Sequence, residues 1–214
     1  MSMPRILITS GATRQYLDPV RYLSNASSGR MGRAIAEAAI ARGHDVVVVS
    51  GPVEVAYPPA AEVISIVSTE EMLSECRRVF PQCDGLIGVA APCDYRPVKV
   101  EPQKIHRTGG PLVLELHETP DIVATLAAAK RPDQWVVGFA LETEDHRLRA
   151  LAKLESKSCD LIVVNGEAAI GAAENSVELL DRGGEVIAAL AGPKDDIARE
   201  LFDILEERLM APRD

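Results

Sequence analysis

The sequence predicts a single α/β domain over residues 1–214, built in three layers, with a mostly parallel central sheet between helices, a long loop in its middle and a C-terminal hairpin. Three observations carry this. Short apolar runs alternate with stretches of helical period. The first run, ending at Ile8, empties into a loop rich in Gly, Ser, Thr and Arg, and a helix begins at the turn Ser27-Ser-Gly29. A later run, Gly85-Leu-Ile-Gly-Val-Ala-Ala91, lacks polar alternation, as expected of a strand covered on both faces.

Taken in order, Ile6 to Ile8 read as a strand, Gly29 to Arg42 as a helix, and Asp45 to Val49 and Val63 to Val67 as strands. Thr69 is placed to cap the next helix, with Glu70, Glu71 and Met72 in its first turn. After the Gly85–Ala91 strand the pattern breaks into Pro, Gly, Lys and Arg from Pro92 to Pro120, with one alternating stretch, Leu112-Val-Leu-Glu-Leu116, as a candidate strand. Loops this long in compact chains are usually functional or disordered. The alternation resumes with Asp121 to Lys130 as a helix, Trp135 to Phe139 as a strand, Thr143 to Lys157 as a helix and Leu161 to Val164 as a strand. Val177–Asp181 and Glu185–Ala189 flank Arg182-Gly-Gly184 as a hairpin, and Lys194 to Leu209 reads as a terminal amphipathic helix.

Composition narrows the function. With 47% apolar residues the chain can fill one core, and its formal charge of -9, from 23 basic and 32 acidic side chains, argues against broad nucleic-acid binding. An anionic substrate must then meet a local basic cluster. No apolar run approaches the roughly 20 residues that cross a bilayer, and Met1-Ser-Met-Pro-Arg5 lacks the order of a secretion signal, so the cytoplasm is the expected compartment. Cys76, Cys83, Cys93 and Cys159 form no CxxC pair and are expected to be reduced and mostly buried.

The span from Gly11 to Gly32 is neither G-x-G-x-x-G nor the P-loop pattern. It nevertheless gathers Thr13, Arg14, Arg21, Asn25, Ser27, Ser28 and Arg30 around a helix N-terminus, whose dipole favours negative charge. An ordinary strand-to-helix turn needs few of these, which makes nucleotide chemistry the leading expectation. Asn25 reads two ways: its amide can donate to an oxyanion and accept from an attacking amine, or it can cap a turn. Arg21 can fork onto a phosphate or carboxylate, or hold a surface ion pair. Asp94-Tyr-Arg96 and Lys104-Ile-His-Arg107 follow the end of a central strand, where open α/β sheets bind ligands. Lys104 is either the charge that meets a triphosphate or acyl-phosphate transition state, or a solvated lysine. Lys153 and Lys157 share a helix face, usually a solvated one. His44, His106, His117 and His146 show no ligand spacing, and no metal site is expected from side chains alone.

Together, Gly11-Ala-Thr-Arg14, Asp18-Pro-Val-Arg-Tyr-Leu-Ser-Asn-Ala-Ser-Ser-Gly-Arg-Met-Gly32, Ala90-Ala-Pro-Cys-Asp-Tyr-Arg96, Lys104-Ile-His-Arg107, Thr119-Pro-Asp-Ile122, Val137-Gly-Phe-Ala-Leu-Glu-Thr143 and the Lys153/Lys157 pair resemble the phosphopantothenate-cysteine ligase family. The resemblance runs in order along nearly the whole chain. It implies a Rossmann-like sheet with a substrate loop, and a ligase of coenzyme A biosynthesis that joins 4′-phosphopantothenate to L-cysteine. The carboxylate attacks the α-phosphate of CTP or ATP, pyrophosphate leaves, and cysteine displaces the nucleoside monophosphate from the acyl-nucleotidylate. CTP stands ahead of ATP because bacterial members typically use it.

By position, the resemblance makes Lys104 and Asn25 the catalytic pair. It assigns Arg21, Asn25, Ala90, Ala91 and Asp94 to substrate, and Gly11, Thr13, Ser28, Gly29, Met31, Gly32, Asp94, Lys104, Phe139, Lys153 and Lys157 to the nucleotide. It also implies Mg2+ with the triphosphate, a homodimer with Arg21 near its interface, and a separate decarboxylase chain for the next step. The family's Lys-x-Lys-Lys appears here as Lys104-Ile-His106-Arg107, and its Gly-Lys-Met-Gly as Gly29-Arg-Met-Gly32. Two other readings are kept: an NAD(P)-dependent oxidoreductase, against which the missing G-x-G-x-x-G counts, and a non-catalytic nucleotide-binding module of the same fold.

Overall fold

Alternate residues of the first strand choose the two faces of the sheet. Along β1 (Arg5–Ser10), Ile6 and Ile8 enter one core cluster and Leu7 the other, and all three are fully buried. A strand apolar in both directions needs helices on both sides. Those helices are α1 (Arg30–Ala41) and, near the end of the chain, α4 (Lys194–Leu205) against the Ile6 face, with α2 (Thr69–Val79) and α3 (Ile122–Ala128) against the Leu7 face. The computed structural model describes residues 3–141, 154, 157–165 and 174–211.

Between these elements run β2 (Arg14–Asp18), β3 (Arg21–Ser24), β4 (Asp45–Ser50), β5 (Glu62–Ser65), β6 (Gly85–Gly88), β7 (Tyr95–Pro97), β8 (Leu116–Glu118), β9 (Trp135–Leu141), β10 (Leu161–Asn165), β11 (Glu174–Asp181) and β12 (Val186–Pro193). The main sheet has the order β12-β11-β10-β9-β6-β1-β4-β5. Its strands pair in parallel from β5 to β10, and β11 and β12 add the antiparallel hairpin. The expected three-layer, Rossmann-like fold is therefore the observed one. Gly85 lets Trp135 lie across the β6–β9 pair, since a Cβ there would stand 2.1 Å from the indole. No helix among the described residues is long and apolar enough to cross a membrane.

Several details differ from expectation. Ser68, not Thr69, caps α2, through a capping box with Glu71, because the buried Thr69 hydroxyl is engaged by Thr13 and the Cys93 carbonyl. The β6 ladder stops at Gly88, and residues 89–91 leave it with a single bridge from Ala91 to Ala12. Leu112, Val113 and Leu114 are exposed, and only Leu116–Glu118 pairs, with β7. Arg14–Ser24, read as loop, holds a β2–β3 hairpin in which Arg14 lies 4.5 Å over the Tyr22 ring and Tyr16 meets Tyr22 edge-on. The helix expected over Thr143–Lys157 falls mostly outside the described residues. All four cysteines are free and buried, and burial pushes the Cys76 thiol up to about 12 and those of Cys83 and Cys159 to about 11. Burial also raises Cys93, which suits none of the four to act as a nucleophile.

Candidate functional site

Chain order reverses across β1 and β6, and in open α/β sheets the crevice beyond the carboxyl ends at such a point holds the ligand. Two adjoining hollows open there. One, of about 170 Å3, is lined by Ser10, the Ala26–Gly32 turn, Ala90, Ala91 and Phe139. The other, of about 470 Å3, shares Ala26, Ala90, Ala91 and Phe139 and adds Asn25, Asp94, Thr119, Asp121 and Lys157.

Close packing of α1 on β1 shapes the first hollow. A Cβ on Gly32 would lie 2.0 Å from Ser10 Oγ, so only glycine lets the first turn of α1 sit against the end of the strand. Gly11 and Gly29 take positive φ of 75°, and a Cβ on Gly11 would meet Val53 Cγ1 at 2.6 Å. Helices α2 and α3 are capped by Ser68 and Asp121, whereas α1 starts at Gly29 with no side-chain cap and no acid in its first turn. Its first N–H groups stay open to an anion, beside Ser28 and Met31.

Asn25 forms one wall of the second hollow. Its Nδ2 donates to the carbonyls of Ala91 at 3.2 Å and Pro92 at 2.9 Å. Two carbonyl partners fix the orientation of the amide and engage both of its hydrogens, so Oδ1 is the end left to act on a ligand, as an acceptor. Ala91 is held independently, its N–H donating to Gly11 O at 2.9 Å. Lys157 pairs with Asp121 at 3.0 Å, and Phe139 reaches both hollows from β9.

Other expected residues lie elsewhere. Thr13 is fully buried, bonded to the Thr69 hydroxyl and the Cys93 N–H, and lines neither hollow; its side chain braces the floor instead of meeting a nucleotide. Arg21 pairs with Asp18 at 3.1 Å on the β2–β3 hairpin. Lys104 is exposed and lines a separate hollow with Leu17, His106 and residues 112–115. Lys153 lies outside the described residues.

Asp18 ties the hairpin to the loop that carries Lys104. Its buried carboxylate accepts from Val20 N at 2.9 Å and Ile105 N at 3.0 Å. Burial works against its ionisation, but the N–H groups of Ile105, Val20 and Arg21 and the Arg21 guanidinium outweigh it and hold the carboxyl below the ordinary 3.8. Because the folded-state value is depressed, the stabilisation is whole above the ordinary value and vanishes as pH falls through the lowered one. Asp18→Asn is expected to lower the urea midpoint at neutral pH and to lower it progressively less as the pH falls below the ordinary carboxylate value of 3.8. A loss that does not shrink as the pH falls would contradict this.

Comparison with known proteins places the chain in a family. The family described as DNA/pantothenate metabolism flavoprotein C-terminal domain matches residues 1–209. The chain belongs to this family. The coenzyme A biosynthesis bifunctional protein CoaBC of Vibrio cholerae is 38% identical over 211 residues, which cover 96% of this chain and 53% of that protein. A cysteine/cysteine sulfinic acid decarboxylase from an unknown prokaryotic organism is 37% identical over 92% of this chain and 56% of its own length. The chain thus spans about half the length of these curated relatives. The crystal structure of the C-terminal domain of a CoaBC protein superposes with a TM-score of 0.82 at 35% identity, covering 98% of this chain and 97% of that one. Membership in the flavoprotein C-terminal domain family bears out the resemblance to phosphopantothenate-cysteine ligases.

Within this family fold, the cleft also contains Leu141, Asn165, Asn175 and Lys194, which sequence reasoning missed. A polar residue closing the central strand Leu161–Asn165 was the available signal, since such strand ends face the crevice. Among the described residues no group of three or more His, Cys, Asp or Glu could hold a metal ion. Asp121, beside the cleft, is already engaged by Lys157 and the Ala124 N–H. The described side chains therefore offer Mg2+ no cage of their own.

Proposed function

We propose that this domain joins 4′-phosphopantothenate to L-cysteine at the expense of a nucleoside triphosphate, CTP ahead of ATP. One observation carries the reading: the uncapped N-terminus of α1 and the Asn25 amide open into hollows that share Ala90, Ala91 and Phe139, so an anion seat adjoins an acyl seat. In this reading the phosphates lie along Ser28, Gly29, Met31 and Gly32 above Gly11, with Phe139 beside the base. Arg21, Asn25, Ala90, Ala91 and Asp94 hold 4′-phosphopantothenate.

Its carboxylate oxygen attacks the α-phosphorus, the bond to the bridging oxygen of the β-phosphate breaks, and pyrophosphate leaves with the electron pair. The amine of cysteine then attacks the acyl carbon. The acyl C–O bond breaks, the nucleoside monophosphate departs with the electron pair, the proton lost by the amine passes to that phosphate or to solvent, and Asn25 Oδ1 accepts a hydrogen bond from the attacking amine. Lys104 is assigned the charge that meets the first transition state, which requires its loop to turn from its present hollow toward the cleft. Lys157 exchanges Asp121 for the nucleotide, and Lys153 is assigned to the nucleotide with it. A homodimer and Mg2+ carried by the triphosphate complete the reading.

The test is pyrophosphate release with each nucleotide in turn. Release that depends on 4′-phosphopantothenate, followed by cysteine-dependent amide, is expected. Lys104→Ala should lower release roughly 100-fold. No turnover with either nucleotide overturns the reading, and tight NAD(P)H binding would favour an oxidoreductase in its place.

A further inference from the structure

Glycine permits a left-handed turn without enforcing one, because it adopts either sign of φ about equally. Gly11, at the crevice end of β1, and Gly29, at the start of α1, both hold φ of 75°. What pins them is the loop between β4 and β5, residues 51–61. A Cβ on Gly11 would meet Val53 Cγ1 at 2.6 Å, and one on Gly29 would meet Val53 Cγ1 at 3.0 Å and Val55 Cγ2 at 3.2 Å. The branched Val53 side chain, stiff about χ1, therefore bears on both glycines at once. Both valines are half-buried and lie outside the hydrophobic core clusters, so core packing does not account for their place. The loop is anchored on either side of this contact. Gly51 N donates to Ser10 O at 3.1 Å, and the Tyr57 hydroxyl shares a hydrogen bond of 2.8 Å with that of the buried Ser50.

We propose that Val53 and Val55 are positioning residues for the nucleotide, an apolar strap that holds the two turns of the anion seat and closes the crevice on its β4 side. In dinucleotide-binding sheets the ligand crosses the glycine turn of the first strand toward the end of the next, where a carboxylate meets the ribose. The strand in that place here is β4, paired with β1 from Arg5 against Asp45 to Ser10 against Ser50. It ends in Ser50-Gly51 without a carboxylate, and the first acid beyond it, Glu54, is exposed. Val53 fills the way across the glycines. A ligand seated on α1 is left the other direction, over β6 and β9 to Phe139. The strap thus selects a mononucleotide over a dinucleotide. It rests on the ligase reading for the identity of its ligand, but the holding of the seat is testable by binding alone.

The test is calorimetric titration of the whole chain with CTP, ATP and NADH, with nucleotide kinetics and urea unfolding alongside. Wild type is expected to bind a nucleoside triphosphate and not NADH. Val53→Ala frees both turns, and apparent affinity falls with the fraction of molecules whose seat is formed. The triphosphate should then bind roughly tenfold more weakly, and its KM should rise by the same factor while kcat stays within about twofold. Val53→Thr keeps the branched shape and should retain wild-type affinity. Val48→Ala, in the core of β4, should lower the urea midpoint at least as much with KM unchanged, which separates a held seat from a general loss of stability. Unchanged affinity in Val53→Ala, the same KM rise in Val48→Ala, lost affinity in Val53→Thr, or NADH binding to the wild type overturns the strap. Val53-dependent triphosphate binding without ligase turnover keeps the strap and discards the ligase reading. Ligase turnover with Val53→Ala indistinguishable from wild type does the reverse.

Discussion

Asn25→Asp is expected to slow amide formation roughly 100-fold while pyrophosphate release continues. The native amide gives both of its hydrogens to the carbonyls of Ala91 and Pro92. A carboxylate in that position has nothing to donate and faces two carbonyl oxygens, so it must turn away and take its oxygen out of line with the incoming amine. Residue 91 keeps its place through its own N–H on Gly11 O, and the seat used in the first half of the reaction survives. Rapid-quench analysis should then find acyl-nucleotidylate building up before cysteine consumes it. Equal slowing of both halves would show that Asn25 only braces the 91–92 turn.

Gly32→Ala is expected to destabilise the domain by about 2–3 kcal/mol and to raise the nucleotide KM sharply. The added methyl would stand 2.0 Å from Ser10 Oγ and 2.6 Å from Ser10 Cβ, and Ser10 is fully buried at the end of β1. Either α1 moves off the strand, which misplaces its N–H groups, or the strand end gives way. Ser10→Gly removes the opposing side chain, so the double variant should recover much of both losses. Urea unfolding and nucleotide KM, measured for both singles and the double, check this as a coupling cycle. Strict additivity would sink the explanation.

The central sheet was legible because its signals are local. The runs around Ile6, Val46 and Leu161 are apolar without alternation, and turn residues bound them. The β2–β3 hairpin was not legible. Its turn is Pro19-Val20, without the Asn-Gly signal of tight hairpins, and its strands are held by Arg14 on Tyr22 and by Tyr16 against Tyr22, contacts visible only once register is set. Leu112–Leu116 alternates like a strand but finds a partner only from Leu116 onward, because β7 has three residues to offer. Ser68 was overlooked as a cap in favour of its neighbour, although Glu71 completes a capping box with it.

In the site, Asn25, Ser28, Ala90, Ala91, Asp94, Phe139 and Lys157 were read from motifs and line the two hollows. Thr13 sits in the same motif, but a short hydroxyl side chain just past a strand end can turn inward as readily as outward, and here it turns in. Asn175 and Lys194 come from the C-terminal hairpin and the helix after it, more than 140 residues beyond the first loop. Only tertiary folding brings them to Arg30.

Trp135 is the single tryptophan of the chain, buried on Gly85 at the amino end of β9, while Phe139 stands near the carboxyl end of the same strand. Four residues of extended chain put about 13 Å between the backbone positions of Trp135 and Phe139. The protein thus carries an intrinsic fluorophore that views the interior of the sheet and not the ligand. Its emission is expected to report folding and to change little when the cleft fills, so stability and binding can be followed separately on one unlabelled molecule.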